Sequence, residues 1–332
     1  MSVIEVRDLC KEFTTYERGR GLAGSLRSLF TRKQITKKAV DHASFTVDRG
    51  EMVGYVGPNG AGKSTTIKLL TGILYPTSGA VSVCGLIPSK DRRRNLMHIG
   101  TVFGQRTQLW WDLPLIESFE LLKFIYKVPA AAYKENMERF RDILDLDEFM
   151  RTPVRQLSLG QRMRGDIAAS LLHNPDLLYL DEPTIGLDVV AKERIRRFIA
   201  DLNREKKTTV ILTTHDLTDI GTLCDRIIII DTGRIIYDGR VEEIRRRFGS
   251  ESSLLVVFKE PPRAVTLQGV EEMVVDGMRA RIRFDRKRIA ASDLIGALLS
   301  KCAVSDLTIE DTSLEKIIRE IYMEKTHDAR LP

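Results

Sequence analysis

Three short stretches of this 332-residue chain place reactive or charged side chains directly after apolar runs. The first is GPNGAGKST, Gly57 to Thr65, which follows MVGYVG and opens an apolar-periodic segment, GKSTTIKLLTGIL. It fits the spacing G-x-x-x-x-G-K-[ST], and a strand before it with a helix after it is the context in which that spacing cradles phosphate. Gly57, Gly60 and Gly62, with Pro58, Asn59 and Ala61 between them, let backbone N–H groups turn toward an anion where side chains would obstruct. The N-terminus of the following helix adds positive potential. Lys63 is expected to reach the β- and γ-phosphates of a nucleotide and the Ser64 hydroxyl to ligate Mg2+, with Thr65 alongside. The second stretch is DLLYLDEP, where an apolar run ends in Asp181 and Glu182. Ligand sites in open parallel sheets lie beyond the carboxyl ends of strands. Asp181 is therefore expected to hold the Mg2+ shell and Glu182 to polarise an attacking water. The third, TTVILTTH, ends in His215, expected to contact a γ-phosphate.

These residues need a scaffold, and the hydrophobic patterning supplies one. Residues 3–9, 43–47 and 51–57 have the character of strands, and residues 115–149 and 160–173 carry helical periodicity. From residue 176 onward strand-like and helix-like segments alternate, which argues for a mostly parallel sheet with helices on its faces. The helical stretch of about 106–173 interrupts that alternation and is expected to be an inserted subdomain. After RRRFGS the pattern changes. Residues 253–322 offer strand-like LLVVF, MRARIRF and VSDLTIE and helix-like AASDLIGALLSKC and SLEKIIREIY. The expected division is an α/β domain over 1–250 and a small α+β domain, ferredoxin-like in arrangement, over 251–332.

Composition narrows the class. Hydrophobic residues at 43% and charged residues at 30% are ordinary for a globular chain. A net charge of +6 allows nucleic acid, anionic lipid or a phosphorylated ligand without choosing among them. The cysteines, Cys10, Cys84, Cys224 and Cys302, show no C-x-x-C spacing, which argues against a metal knuckle or a disulfide framework. The N-terminal MSVIEVRDLC lacks the apolar core of a secretion signal, and no segment approaches the ~20 apolar residues of a membrane span.

A further motif, LSLGQRMRGDIAASLL, starts at Leu157. Ser158 and Gln161 have capping-box spacing, and Met163, Ile167, Leu171 and Leu172 form an apolar stripe behind them. With this motif in place the chain resembles the ATP-binding subunits of ABC transporters. LSLGQ is similar to the family's L-S-G-G-Q signature, and GPNGAGKST, LLYLDEP, GLD (Gly186 to Asp188) and His215 match its Walker A, Walker B, D-loop and switch histidine in order. Gln105 matches the family's Q-loop glutamine, a Mg2+ ligand and part of the catalytic set. The resemblance covers residues 1–240. It implies a P-loop ABC cassette with an N-terminal antiparallel β part beside the parallel core, ATP and Mg2+ as cofactors, and ATP hydrolysis as the activity. It also implies that Ser158, Gly160, Gln161 and Asp188 contact the nucleotide of a partner subunit. Phe13 falls where the family stacks an aromatic on adenine, with Tyr16 as the competing candidate. Leu159 replaces the signature's first glycine, and a leucine there is expected to be plainly helical. The variant LSLGQRM is similar to that of bacterial ABC-2-type exporters.

The resemblance also gives a meaning to GQRTQLWWDLP, which holds both tryptophans of the chain, Trp110 and Trp111. In the family the segment after the Q-loop faces the membrane subunit. One indole is expected to pack under the helical subdomain and the other to line the permease groove. Between Phe13 and Asp41 an insertion of about 17–38 places Leu22, Leu26, Leu29 and Phe30 at helical spacing among basic residues, as a short amphipathic helix would. The C-terminal domain resembles the accessory or regulatory domain of some ABC-2-type ATPases. The expectation is an ATPase subunit that pairs with a second copy of itself or a homologous ATPase subunit. It would sit on the cytoplasmic face of the membrane through a separately encoded permease, with no nucleic-acid partner, and export a drug-like, lipid or polysaccharide cargo. The alternatives are a soluble ABC ATPase acting on ribosomes or nucleic acid, and an importer ATPase.

Overall fold

A computed structural model describes residues 1–16, 34–104, 106–249, 251–262 and 267–328. They divide into two compact units, Met1–Asp238 and Gly239–Pro332.

The first unit holds two sheets. Strands β1 (Ser2–Tyr16), β2 (Gln34–Asp48) and β4 (Ser78–Val83) form an antiparallel sheet in the order β2-β1-β4. Both long strands run well past the expected 3–9 and 43–47. Register shifts, with positive φ at Asp8 and His42, break the strict alternation that would mark their full length in the sequence. The central sheet has the order β5-β6-β7-β3-β8-β9. Its strands are β3 (Met52–Val56), β5 (Ile99–Phe103), β6 (Leu177–Asp181), β7 (Thr209–Thr213), β8 (Arg226–Asp231) and β9 (Arg234–Arg240). The pairs β5–β6, β6–β7, β7–β3 and β3–β8 are parallel, as continuous apolar runs buried on both faces require. A core of Val53, Tyr55, Ile67, Leu69, Tyr179, Ile211 and Ile228 joins this sheet to the antiparallel one. The α/β class and the mostly parallel sheet are as expected. The insertion keeps no helix where it is described, because Gln34–Lys38 is strand in β2 paired to β1; the rest, with Leu22, Leu26, Leu29 and Phe30, lies outside the described residues.

Helix α1 (Lys63–Leu70) follows β3, and the short α2 (Arg92–Leu96) precedes β5. Helices α3 (Leu115–Ile125), α4 (Ala130–Ile143) and α5 (Leu159–Leu171) make up the inserted helical part, with a 3-10 turn at Val154–Gln156. Its interior is Leu115, Phe119, Phe140, Leu144, Leu146, Phe149 and Val154, all buried. Helix α6 (Val189–Lys206) follows β6, and α7 (Leu217–Leu223) follows β7. Residues 106–114 lie before the first of the inserted helices and carry none.

The second unit begins at Gly239, earlier than the compositional shift at Ser250 suggested. Helix α8 (Val241–Phe248) belongs with it, its Ile244 fully buried and Gly249 set against Ile317. Strands β10 (Glu251–Phe258), β11 (Val270–Asp276), β12 (Arg279–Asp285) and β13 (Val304–Asp311) form an antiparallel sheet in the order β11-β12-β10-β13. Helix α9 (Ala291–Leu299) covers one face through Leu294 and Leu298, and α10 (Leu314–Asp328) follows β13. The strand order is that of a ferredoxin-like split unit, with no crossover helix between β10 and β11 among the described residues. Strand β11 has no counterpart in the sequence reading, because it is an edge strand with most residues exposed and lacks the alternation that marks a half-buried strand.

Candidate active site

The loop after β3 is shaped by contacts that only glycine permits at two positions. Gly62 has φ +110°, and a Cβ there would stand 2.2 Å from the Ala39 carbonyl oxygen. At Gly57 a Cβ would meet the Ile230 carbonyl at 2.3 Å. The loop is thus pressed between β2 and β8, and Gly233 N–H donates to the Ala61 carbonyl at 2.9 Å to hold it from the far side. Helix α1 starts directly from Gly62, and no side chain caps it. Its first-turn N–H groups keep the positive end of the helix available to an anion. Tyr55 on β3 donates to Thr66 on α1 at 3.2 Å, fixing the helix to its strand.

Lys63 is 7% exposed, and its ammonium donates to the carbonyls of Gly57 at 2.6 Å and Pro58 at 3.1 Å. Burial lowers its pKa, while the carboxylates of Glu182 and Asp181 act the other way and favour the charged form. The ends of β6 and β7 bring the acidic pair to the same place. Asp181 accepts from Ser64 Oγ at 3.2 Å through Oδ2 and from the Thr213 hydroxyl through Oδ1. Glu182 has φ +58°, a left-handed conformation that is rare for a residue with a side chain and that clusters at functional sites. Its N–H donates to the Thr213 carbonyl at 2.9 Å, and its Oε1 lies 2.8 Å from His215 Nε2. Behind the pair, Asp219 is fully buried. It accepts from Thr184 at 2.6 Å and from Arg196 Nε at 2.6 Å, which ties the segment after Glu182 to the elements around His215.

A cavity of about 610 Å³ opens over these groups. Phe13, Asn59, Gly60, Gly62, Lys63, Ser64, Thr65, Asp181, Glu182 and His215 all line it, so residues predicted from four separate stretches meet in one place. Phe13 is partly exposed there, with Lys11 Nζ 5.2 Å from its ring centre, and Tyr16 ends β1. Gln105 lies outside the described residues. The sequence reading missed Lys37, Lys68 and Arg106 on the cavity wall and Thr213 beneath Asp181. Thr213 was legible in principle, since it closes the same apolar run that leads to His215; Lys68 and Arg106 border the motifs at Gly57–Thr65 and Gln105 without belonging to their fixed spacing, and Lys37 lies on β2. Four lining cations, uncapped helix N–H groups and two hard carboxylates suit a polyphosphate with a divalent ion.

The family model described as ABC transporter matches residues 40–185. The ABC transporter ATP-binding protein NatA of Bacillus subtilis (strain 168) is 31% identical over 237 residues, covering 71% of this chain and 96% of that one. This chain belongs to the ABC transporter ATP-binding family. The Nod factor export ATP-binding protein I of Ralstonia nicotianae is 37% identical over 205 residues, 62% of this chain and 63% of its own. Among solved structures, a dimeric post-hydrolysis state of an ATP-binding cassette bound to ADP and Pi superposes with a TM-score of 0.59 at 26% identity, covering 72% of this chain and 98% of that one. As an ABC ATPase the chain binds ATP and couples its hydrolysis to transport, within a transporter that has membrane components. No helix among the described residues is long and apolar enough to cross a membrane.

The residues of the ABC signature lie outside this cavity. Ser158 caps α5 by accepting from Gln161 N–H at 3.2 Å, and the Gln161 side chain accepts from Ser158 N–H at 2.9 Å, completing the expected capping box. Leu159 is the first helical residue, without positive φ, and a Cβ on Gly186 would stand 2.4 Å from its side chain. The leucine thus packs over the D-loop glycine. Asp188 caps α6, accepting from Ala191 N–H at 2.8 Å. Ser158, Gly160, Gln161 and Asp188 do not line the 610 Å³ cavity.

The tryptophans correct one expectation: neither is packed away. Trp110 is 37% and Trp111 51% exposed. The backbone around them is held instead. Trp110 N–H donates to Ser118 Oγ at 3.1 Å, Arg155 N–H donates to the Trp111 carbonyl at 2.9 Å, and it is Leu109, 5% exposed, that fills the interior.

Proposed function

We propose that this chain is the ATP-hydrolysing subunit of an ABC-2-type exporter, encoded apart from its permease and docked on the cytoplasmic face of the membrane through it. Two copies, or this chain and a homologous subunit, close around two ATP molecules. The cargo class is drug-like, lipid or polysaccharide, in keeping with the LSLGQRM signature and with a relative named for Nod factor export. The unit Met1–Asp238, in place of the expected 1–250, acts as the ABC domain, and the unit from Gly239 acts as an accessory or regulatory domain.

The observation that carries this reading is that the two sets of groups do not meet within one chain. The phosphate-facing groups converge on one cavity, and the signature groups of the same chain do not reach it. A second chain is needed to bring Ser158, Gly160, Gln161 and Asp188 to the nucleotide. Within one copy, Phe13 offers a ring to the base, and the loop from Gly57 to Thr65 offers N–H groups and Lys63 to the phosphates. Ser64 Oγ and Asp181 Oδ2 are oxygen donors of the kind Mg2+ takes, with Gln105 as a further candidate. Bound there, the cation would neutralise charge developing on the β- and γ-phosphates. Glu182 accepts the proton of the attacking water, and His215, 2.8 Å from its carboxylate, orients that base beside the γ-phosphate. Catalysis is then positioning and electrostatics around an in-line attack.

The test is reconstitution. Co-expression with a candidate permease should give a co-purifying complex whose ATP hydrolysis moves cargo outward from vesicles and stops in Glu182→Gln. Co-purification with ribosomes in place of a membrane protein, or inward movement, would contradict the reading.

A further inference from the structure

Helix α5 carries the signature residues at its start and a buried carboxylate two turns further on. Asp166 is 5% exposed and forms no ion pair among the described residues. Its Oδ1 accepts from Thr107 Oγ1 at 2.9 Å and from Gln108 N–H at 3.0 Å, while its own backbone carbonyl accepts from Gln108 Nε2 at 3.1 Å. Thr107 Oγ1 in turn accepts from Leu109 N–H at 3.1 Å. One turn closer to Ser158 on the same helix, the Arg162 guanidinium lies 5.8 Å from the centre of the Trp111 ring. Between them, Gly165 gives the segment room: a Cβ there would stand 2.9 Å from Leu115 and 3.1 Å from Leu109.

A solvated aspartate on a helix surface would account for none of this. A buried carboxylate is costly unless its oxygens are satisfied. Among the described residues the donors come from residues 107–108, a stretch with no helix of its own. The same stretch leads directly into the exposed tryptophans. We propose that Asp166 is a positioning residue that straps the segment bearing Trp110 and Trp111 to helix α5, so that the exposed indoles move with the helix that Ser158 caps. Any motion of α5 on closure around nucleotide is then delivered to the indoles through this carboxylate. Only the consequence for transport rests on the proposed function; the strap itself rests on the contacts.

The chain provides its own probe, since Trp110 and Trp111 are its only two indoles. In the full-length protein, Asp166→Ala should red-shift tryptophan emission and raise the quenching constant for a neutral quencher, by no more than about twofold because the indoles are already partly exposed. ATP affinity should stay at the wild-type value, because Asp166 does not line the nucleotide cavity. Asp166→Asn keeps a carbonyl oxygen in the Oδ1 position and should restore wild-type emission and quenching. General loss of packing would not be rescued in this way. Thr107→Val, which removes one donor and keeps the volume, should give a smaller shift in the same direction, and it serves if Asp166→Ala does not fold. Unchanged quenching in Asp166→Ala and Thr107→Val, or an Asp166→Asn protein that behaves like the alanine variant, overturns the strap. In the reconstituted transporter, Asp166→Ala should lower transport more than basal ATP hydrolysis. A positive quenching result with unaltered transport would keep the strap and count against the permease-facing role of the indoles.

Discussion

At the carboxyl ends of β3, β6 and β7, side chains are buried or held in a rare backbone conformation in order to face a common cavity. Lys63 is 7% exposed although it carries an ammonium, and Glu182 keeps φ +58°. At the N-termini of α5 and α6 the polar groups are satisfied by their own helices. Ser158 and Gln161 close a capping box, and Asp188 caps the next helix. The first set of groups faces a shared cavity, and the second is bonded within its own helices. Under the proposed pairing each copy supplies the chemistry of one site and the closing contacts of the other, and the separation of Ser158 and Asp188 from the cavity is what supports it.

The largest expected effect breaks the first set alone. Glu182→Gln should retain ATP binding and lose roughly 10²–10⁴-fold in turnover, the usual contribution of a positioned base. Phosphate release beside a nucleotide titration checks it. Next in size is a pH effect from the strap. Burial pushes the Asp166 carboxyl up from 3.8 to about 6, against the hydrogen bonds from Gln108 and Thr107 and the nearby Arg162 guanidinium. The folded chain then holds this proton more tightly than the unfolded chain does. The contribution to stability is therefore fully present below pH ~4 and is lost as pH rises through about 6, an amount on the order of 3 kcal/mol. His173 acts oppositely in the same window. Stacked on Tyr126 and half-buried, it is lowered from 6.5 to about 4 by desolvation and so destabilises the fold as pH falls. Comparing wild type with Asp166→Asn cancels the histidine. Denaturant midpoints of the two proteins should draw apart between pH 4 and 6, with the variant gaining on the wild type as pH rises.

Lys63→Ala should weaken nucleotide binding by roughly 1.5–3 kcal/mol, the worth of hydrogen bonds to a charged group, and calorimetric titration reads it directly. The smallest effect sharpens the contrast between the two sets. Ser158→Ala removes an N-cap and should cost about 1 kcal/mol of stability. It should leave the ATP affinity of an isolated copy unchanged, because Ser158 does not line that copy's cavity. A matching loss of ATP affinity would mean that the two sets communicate within one chain.

Much of the first set was legible in the sequence because phosphate chemistry demands fixed residue types at fixed spacing on contiguous chain. The stretches Gly57–Thr65 and Asp181–Glu182 could be read without any fold in view. The capping box at Ser158 and Gln161 was legible for the same reason, being a local pattern. What stayed hidden depends on contacts between distant residues. Asp166 looks like any helical aspartate until Thr107 and Gln108 are seen to cover it. The tryptophans have the composition of a core yet are exposed, because Leu109 fills the interior in their place. The edge strand β11 shows no alternation since neither face of it is well buried. The unit boundary at Asp238 precedes the change in composition, because the residues of α8 are drawn to their partners downstream by packing at Ile244 and Gly249.

The proposed pairing is tested most directly by the mass of Glu182→Gln in solution with and without ATP and Mg2+, measured by sedimentation. The predicted result is a monomer without nucleotide and a dimer holding two ATP molecules with it, and a return to monomer when Ser158→Ala or Asp188→Ala is added to the same chain. A Glu182→Gln protein that binds ATP yet remains a monomer at every protein concentration tested would contradict the pairing.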